Sequence, residues 1–309
     1  MKLHQLDALT ALVDAGSIRG AARKLGITQP ALSSRVAELE HELAATLLNR
    51  TPHGTTLTPV GRALLGHARV IQNHVRQAER DIGDILQRGS AKLAIGASAL
   101  AEMEIVGPLL QELQQSEPDL HLTVTEGQFV EASAALREGA LDLVIAPLPA
   151  GKHSAKLFRF EELIAYPMHV VARSGNPYAR VRRLQDLANA KWVVGAATST
   201  SASTVEELFF EHGLSKPAIT LYADAITMVQ ASIAASDMLG LLPRPLFHGW
   251  QQLVPVPIAD AIRPLRLGLI TRAGSPLTPL ADRFVGLVRD RAKQVAKGLV
   301  SARVGVGSR

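Results

Sequence analysis

The sequence predicts an all-α N-terminal part, residues 1–90, joined to an α/β body. Up to residue 90 the apolar residues recur every three or four positions, as in helices, and from Lys92 short apolar runs alternate with helical segments. A length of 309 residues favours two folding units. With 47% apolar and 20% charged residues, the chain can bury sizeable cores, which excludes a largely disordered or collagen-like protein.

The charges are unevenly distributed. Residues 1–90 carry 11 basic and 8 acidic groups, residues 91–285 carry 16 and 19, and residues 286–309 carry 6 and 1. A basic head indicates either a polyanion partner or ordinary surface chemistry. All aromatic residues lie from Phe129 onward, so the head cannot stack unpaired bases on aromatic rings, and duplex DNA read through a groove is the nucleic-acid partner that remains.

Several classes of protein are disfavoured by what the sequence lacks. It has no cysteine, which excludes disulfides, thiolate zinc sites, iron–sulfur clusters and cysteine nucleophiles. The 10 histidines are scattered without metal-ligand spacing, so we expect no metal and no cofactor. Polar residues interrupt the apolar N-terminus, and no later stretch approaches a membrane span. We therefore expect a cytoplasmic protein that does not contact a membrane.

The head is expected to begin with three helices separated by tight turns. The first ends at Gly16, the second follows Ser17 as a possible N-cap and stops at Gly26, and the third follows Thr28 with Pro30 in its first turn. A short helix, a glycine turn and a helix that starts with small polar groups form the helix-turn-helix pattern. An ordinary helical hairpin with a solvated polar face is the alternative.

The start of the third helix carries candidate DNA-reading side chains. Gln29 can pair with adenine, Arg35 with guanine or phosphate, and Ser33 and Ser34 with base edges or phosphate oxygens. The following segment TPHGTTLT predicts a two-stranded hairpin, or wing, with His53 near its tip. A wing can contact the minor groove or the DNA backbone. A plain connector is the alternative, because no Lys or Arg lies between Arg50 and Arg62.

A long helix is predicted from Pro59 to about Arg88. Its apolar positions alternate in steps of four and three residues: Leu64, Ala68, Ile71, Val75, Ala78, Ile82 and Ile85. This heptad series predicts a coiled-coil seam between two copies of the chain, or a stripe packed on the chain's own body. Two copies would carry two DNA-reading heads, as a palindromic operator requires.

The stretch SIRGAARKLGITQPALSSRVAELEHELAATLLNRTPHGTTLTPVGRALL resembles the N-terminal domain of LysR-type transcriptional regulators, and the rest of the chain also resembles the family. The resemblance implies a winged helix-turn-helix, a dimerising linker helix and a two-lobed effector domain like periplasmic binding proteins. It also implies a dimer, commonly a tetramer, on palindromic promoter DNA, controlled by a small-molecule effector and acting on RNA polymerase. The DNA-binding residues are then Thr28, Gln29, Pro30, Ser33, Ser34, Arg35, Arg50 and His53.

The expected domains are a DNA-binding domain at 1–58, a linker helix at 59–90 and an effector domain at 91–295. Within the effector domain, lobe I takes about 91–163 and 267–295 and lobe II about 164–266, and a disordered basic tail follows at 296–309. Two positions depart from the family pattern. Leu48 stands where Phe is usual, and Pro52 and His53 stand where the wing often has Arg or Lys, which weakens the expected minor-groove contact.

The effector site is expected beyond the carboxyl ends of the strands, where open α/β sheets bind ligands. This rule selects Ser98, Ala99, Phe129, Pro147, Thr198, Ser199, Thr200, Ala225 and Ile226. Hydroxyl and N–H groups at helix starts suit a carboxylate, sulfonate or phosphate, so an organic anion is the favoured effector. Helix capping is the alternative role for the Ser and Thr residues.

Two rival functions remain at this point: a cytoplasmic solute-binding protein, and an α/β enzyme with an accessory DNA-binding head. No GxSxG, HExxH, P-loop or GxGxxG motif follows a predicted strand, so we expect no enzyme. The basic head argues against a simple solute-binding protein. Within the family, the segments SDMLGLLPRPLF, VPVPIADAI and SPLTPLAD are similar to a branch that includes toluenesulfonate-responsive and galactose-binding-protein-locus regulators.

Overall fold

The computed structural model describes residues 1–51, 54–85, 92–149, 157–195 and 200–306. The chain forms two compact units, one built from Met1–Gly89 together with Arg137–Ala140, and one from Ser90–Leu136 together with Leu141–Arg309. The first is called the head below, and the second the C-terminal unit.

The head is a winged helix-turn-helix followed by a long helix, as the sequence predicts. Its elements are α1 (Leu3–Ala15), α2 (Ile18–Leu25), α3 (Gln29–Glu42), β1 (Leu48–Thr51), β2 (Gly54–Leu57) and α4 (Pro59–Ile85). Strands β1 and β2 pair antiparallel, with Leu48 opposite Leu57. Leu9, Leu32 and Leu39 are completely buried where α1 and α3 meet.

Local chemistry explains where the head helices begin and end. Gly16 and Gly26 follow α1 and α2 with φ angles of 65° and 64°, a backbone conformation that glycine adopts without steric cost. Ser17 and Thr28 accept hydrogen bonds from backbone N–H groups three residues further on, at 3.1 and 3.3 Å. Each cap satisfies a donor that has no partner within the helix.

The apolar stripe of α4 lies in two different environments. Near its start it packs on the head, where Ala68 is completely buried and the Gln72 amide donates hydrogen bonds to Asp7 Oδ1 at 2.7 Å and Thr10 Oγ1 at 2.8 Å. Further along the heptad series, Ile71 and Ile82 are 36% and 57% exposed. The start of the stripe therefore packs on the chain's own core, while these later positions face solvent.

The first lobe of the C-terminal unit is built on a five-stranded mixed sheet. Its strands are β3 (Lys92–Ala97), β4 (His121–Glu126), β5 (Leu143–Pro147), β6 (Phe158–Tyr166) and β12 (Leu265–Arg272), in the order β4-β3-β5-β12-β6. The strands β4, β3 and β5 run parallel, whereas β12 is antiparallel to both of its neighbours. Three of the five strands thus have the parallel arrangement that an alternation of strands and helices favours.

Helices flank this sheet. They are α5 (Ala99–Ala101), α6 (Gly107–Ser116), α7 (Phe129–Glu138) and α10 (Pro279–Val306). The tail expected to be disordered from residue 296 instead continues α10 to Val306, and residues 307–309 lie outside the described residues. One reason is that Val295 and Leu299 pack against the main core of the unit, so the helix gains apolar burial beyond residue 295.

The second lobe is inserted between β6 and β12. It contains β7 (Met168–Arg173), β8 (Lys191–Gly195), α8 (Thr200–Glu211), β9 (Ala218–Ala223), α9 (Ile226–Ala235), β10 (Gly240–Pro243) and β11 (Leu253–Pro255). Strands β10, β7 and β11 form an antiparallel sheet, and β8 pairs parallel with β9. The chain enters this lobe after β6, which ends at Tyr166, and leaves it before β12, which begins at Leu265.

A π-helical turn, Glu102–Val106, joins α5 to α6 into one helical segment. Pro108 lies just after this turn and has no N–H group to donate to the Glu104 carbonyl. The Nε of Arg291, on α10, donates to that carbonyl at 2.9 Å instead. An arginine from another helix therefore satisfies a backbone acceptor that the proline leaves without its usual donor.

We expect Arg291→Met to lower the free energy of unfolding by about 1–3 kcal/mol, because a partly buried carbonyl loses its charged donor. Urea denaturation followed by circular dichroism measures this change. The control is Arg283→Met on the same helix, since Arg283 forms an exposed ion pair with Glu117 and its loss should cost less than about 1 kcal/mol. Equal losses in both variants would contradict the role given to Arg291.

None of the helices in the described ranges combines the length and apolar character needed to cross a membrane.

Candidate functional site

Helix α3 presents its polar residues outward because its apolar residues hold it to the head. Leu32, Val36 and Leu39 are buried against α1 and α2. The predicted DNA-reading residues lie on the remaining surface: Thr28, Gln29, Pro30 and Ser34 are exposed, and Ser33 and Arg35 are partly exposed. Among the described residues, no carboxylate forms an ion pair with Arg35. The structure thus brings six of the predicted residues together at the start of one helix.

An acidic residue that the sequence analysis did not select lies on the same helix. Ser34 Oγ donates a hydrogen bond to Glu38 Oε1 at 3.0 Å. This contact uses the hydroxyl hydrogen of Ser34 and leaves its oxygen lone pairs free to accept from a base amino group. The spacing of four residues in a helix is the signal that could have identified the pair.

The wing is fastened to α3 and α4 by hydrogen bonds. Glu40 Oε1 accepts from the backbone N–H of Leu47 at 2.7 Å, and Thr58 Oγ1 donates to the Thr46 carbonyl at 2.7 Å. Arg50 lies in β1 opposite Thr55. Pro52 and His53 lie outside the described residues, so the predicted contact of His53 remains a prediction.

Helix α2 adds two cations that the sequence analysis did not select. Arg19 and Arg23 are both exposed and lie four residues apart, hence on one face of α2. Lys24, by contrast, pairs with Asp14 at 3.0 Å. In helix-turn-helix proteins the first of the two helices crosses the DNA backbone, so Arg19 and Arg23 are suited to phosphate contacts.

A cleft of ≈ 560 Å³ lies in the C-terminal unit, lined by strand ends and helix starts of both lobes. Five of the predicted effector contacts line it: Ser98, Ala99, Pro147, Ala225 and Ile226. Its volume lies within the range of small-molecule sites, roughly 300–1,000 Å³. The rule that ligands lie beyond the carboxyl ends of strands therefore selects residues that the fold brings together.

The remaining predicted effector contacts have other positions. Phe129 does not line the cleft; it is buried and packs edge-on against Phe158 and Phe160, with ring centroids 5.2 and 5.3 Å apart. Its apolar ring gains more from this aromatic cluster than from a solvated cleft. Thr198 and Ser199 lie outside the described residues, and Thr200 begins α8.

Ser98 shows that a residue lining the cleft can also be a helix cap. It is only 2% exposed, and its Oγ accepts a hydrogen bond from the Ala101 N–H at 3.3 Å. The capping role considered for Ser98 from the sequence is therefore present.

The charge of the cleft differs from the one expected for an anion site. Its described lining includes five carboxylates, Glu126, Glu131, Glu207, Glu211 and Asp224. The same lining includes two guanidinium groups, those of Arg263 and Arg266. This excess of negative charge disfavours the organic anion that hydroxyl groups at helix starts suggested. The rule that ligands lie beyond the carboxyl ends of strands also selects Glu126 and Asp224, since Glu126 ends β4 and Asp224 directly follows β9.

The described part of the chain contains no group of three or more His, Asp or Glu residues arranged to hold a metal ion.

Comparisons with known proteins match both units. The family model described as "Bacterial regulatory helix-turn-helix protein, lysR family" matches residues 3–62, and "LysR substrate binding domain" matches residues 87–293. The transcriptional regulator GbpR of Azospirillum brasilense is 27% identical over 297 residues, which cover 94% of this chain and 86% of GbpR. The regulator TdcA of Escherichia coli K12 is 23% identical over 303 residues, covering 95% and 96%.

Solved structures share the fold over nearly the whole chain. Full-length CbnR complexed with its target DNA has a TM-score of 0.68 at 20% identity, covering 94% of this chain and 100% of that chain. Full-length OxyR from Pseudomonas aeruginosa has a TM-score of 0.66 at 20% identity, covering 95% of each. The family models, which together span most of the sequence, describe regulator domains and not enzymes. The chain belongs to the LysR family of bacterial helix-turn-helix transcriptional regulators, with a DNA-binding head and an effector-binding C-terminal domain.

Proposed function

We propose that this regulator binds a palindromic promoter site in the cytoplasm as a dimer of dimers, and that a small molecule in the cleft controls it. The observation that carries the proposal is the start of α3, where Gln29, Ser34 and Arg35 lie together on the surface of a helix-turn-helix. Among the described residues that line the cleft, no nucleophilic side chain is paired with a general base as an enzyme's active site would require. The GbpR and TdcA relatives are both named as transcriptional regulators.

Each side chain at the start of α3 has a proposed role in the major groove. Gln29 pairs with an adenine edge, and Arg35 with guanine or a phosphate. Ser33 and Ser34 contact base edges or phosphates, and Thr28 and Pro30 fix the start of the helix. Arg50 and His53 contact the DNA from the wing, while Arg19 and Arg23 contact phosphates from α2. Because these phosphate contacts release counterions, affinity should fall steeply with salt.

Dimerisation through α4 supplies the second head. Ile71, Ala78 and Ile82 are exposed and share one face of α4. A second copy of α4 would cover this face and place two copies of α3 on neighbouring half-sites. Pairing of two such dimers gives the tetramer.

Control follows from a population shift between two arrangements of the assembly. An effector that binds the cleft changes the relative angle of the two lobes, and the tetramer transmits this change to DNA bending and contact with RNA polymerase. By linkage, effector and DNA then alter each other's affinity by the same factor. An effector that left both the DNA affinity and the footprint length unchanged would contradict this coupling.

We expect Arg35→Ala to weaken binding to the promoter DNA upstream of this chain's gene by about 5- to 150-fold, as for the loss of one base or phosphate contact worth about 1–3 kcal/mol. Fluorescence anisotropy with a labelled duplex at fixed salt measures the affinity, and nuclease footprinting locates the site. The control Arg180→Ala changes an exposed arginine of the C-terminal unit and should leave both unchanged. A protected site with unaltered affinity in the Arg35 variant would overturn the role of α3.

A further inference from the structure

The cations of the cleft are already neutralised by carboxylates. Arg263 Nη2 lies 2.7 Å from Glu211 Oε1, and Arg266 Nη1 lies 3.7 Å from Glu162 Oε2. These carboxylates offset part of the positive charge that either guanidinium would present to an incoming anion.

Three carboxylates of the cleft have no such compensation. Among the described residues, no cation forms an ion pair with Glu126, Glu207 or Asp224, which all line the cleft. They come from β4, α8 and the segment after β9. Both lobes therefore contribute negative charge, and a cleft of low-dielectric walls focuses the field of charges of one sign.

Apolar side chains supply much of the described lining. The apolar lining includes Leu100, Val193, Val205, Leu208, Val229 and Leu242, and all six are buried in the lobe cores. No Phe, Tyr or Trp is present in the described lining. The surface suits an aliphatic body better than an aromatic ring that needs a stacking partner.

Besides the carboxylates, an amide group of the cleft lining favours a ligand that donates hydrogen bonds. Gln128 lines the cleft, and its Oε1 oxygen is buried with no donor among the described residues. Buried acceptors in folded proteins are nearly always hydrogen-bonded. A ligand N–H group can supply the missing bond once the Gln128 amide turns its oxygen toward the cleft, whereas a carboxylate or sulfonate has no hydrogen to donate.

The negative field also reaches a neighbouring carboxyl group. The pKa of Glu102 is raised above its ordinary value, first by burial and then by the Glu126 carboxylate. A cation bound near Glu126 would relieve this repulsion, because opposite charge stabilises both carboxylates.

We propose that the effector is an organic cation, an aliphatic molecule that carries an ammonium or guanidinium group, which rests on the proposed function of the cleft as the effector site. Its charged end lies near Glu126, Glu207 and Asp224, its N–H groups bond to Gln128 Oε1 once that amide turns toward the cleft, and its aliphatic part packs on the apolar lining. The charge of the lining thereby selects against carboxylates and sulfonates.

Isothermal titration of the full chain with three probes of equal length tests the charge preference: hexylammonium, hexanoate and hexan-1-ol. We expect hexylammonium to bind at least about tenfold more tightly than hexanoate, with hexan-1-ol between them, which corresponds to about 1.4 kcal/mol. The preference should shrink as salt concentration rises, since the interacting charges are partly exposed.

The double variant Glu207→Gln, Asp224→Asn tests whether these two carboxylates bind the ammonium group. It should weaken hexylammonium binding about tenfold while leaving hexan-1-ol binding unchanged. The matched control Glu112→Gln removes an exposed carboxylate on α6, outside the cleft lining, and should bind all three probes like the original chain. Thermal unfolding of each variant checks that the fold is retained.

A promoter footprint of the same preparation separates the two proposals. A chain that protects its promoter DNA yet binds hexanoate as tightly as hexylammonium, or binds neither probe, overturns the cationic effector and leaves the regulator proposal standing. A chain that binds hexylammonium selectively but protects no promoter site overturns the proposed promoter binding instead.

Discussion

Replacement of Ile82 by glutamate should dissociate the dimer and weaken binding to a palindromic site by about 10²-fold or more, because the second head no longer binds intramolecularly. Ile82 is 57% exposed near the described end of α4 and continues the face that contains Ile71 and Ala78. Two facing glutamates would place like charges in an apolar seam. Glutamate is also a good helix former, so the helix itself should persist.

Sedimentation velocity of the purified chain measures the oligomeric state, and anisotropy on full and half-site duplexes measures the affinity. We expect the variant to bind the full palindrome hardly better than a half-site. Asn73→Glu is the matched control, since Asn73 lies about half a turn around α4 from Ile82 at 100° per residue. A variant that remained dimeric at micromolar concentration and kept its affinity for the full site would exclude this face of α4 as the dimer seam.

The head could be predicted closely from the sequence because its helix ends depend on local chemistry. Gly16 and Gly26 end α1 and α2, and Ser17 and Thr28 cap the helices that follow them. These signals act within one turn and need no knowledge of the tertiary fold. The heptad series of α4 was also visible, but a repeat cannot say which part packs on its own head. Only the burial of Ala68 and the exposure of Ile82 separate the two alternatives.

The C-terminal unit was predicted less completely because its important features depend on distant segments. Strand β12 returns to the first sheet from the far side of an inserted lobe, and composition does not reveal that it runs antiparallel to β5 and β6. Phe129 follows a strand as the rule for ligand contacts requires, yet it packs with Phe158 and Phe160. Where an apolar ring can join a core, burial outweighs its position at a strand end.

The charge of the cleft also depends on distant segments and so could not be predicted from the sequence. Glu126, Glu207 and Asp224 lie far apart in sequence, in a body whose residues 91–285 carry 19 acidic and 16 basic groups and so give little warning of a local excess. The pairing of Arg263 with Glu211 is likewise a product of the fold. Hydroxyl groups at helix starts indicated an anion site because the sequence could not show which charges surround them.

Trp192→Ala should lower the free energy of unfolding of the C-terminal unit by about 3–5 kcal/mol, the cost of removing a large buried ring and leaving a cavity. Trp192 lies completely buried on β8, with its ring edge-on to Phe209 at a centroid distance of 5.7 Å. Urea denaturation followed by circular dichroism measures the loss. Trp250→Ala, at a residue 37% exposed, should cost less than about 1 kcal/mol and controls for loss of a tryptophan.

The variant Trp192→Phe distinguishes the contribution of ring packing from the contribution of the indole N–H group. The indole Nε1 is buried and has no hydrogen-bond partner among the described residues, so phenylalanine removes volume but also an unsatisfied donor. We expect it to cost less than half as much as alanine. Because the neighbouring Val193 and Val194 line the cleft, the alanine variant should also weaken probe binding there, while promoter binding by the head should be affected less. Equal losses in the alanine and phenylalanine variants would mean that the indole N–H is bonded after all, and that the core around β8 is held by a polar contact as well as by packing.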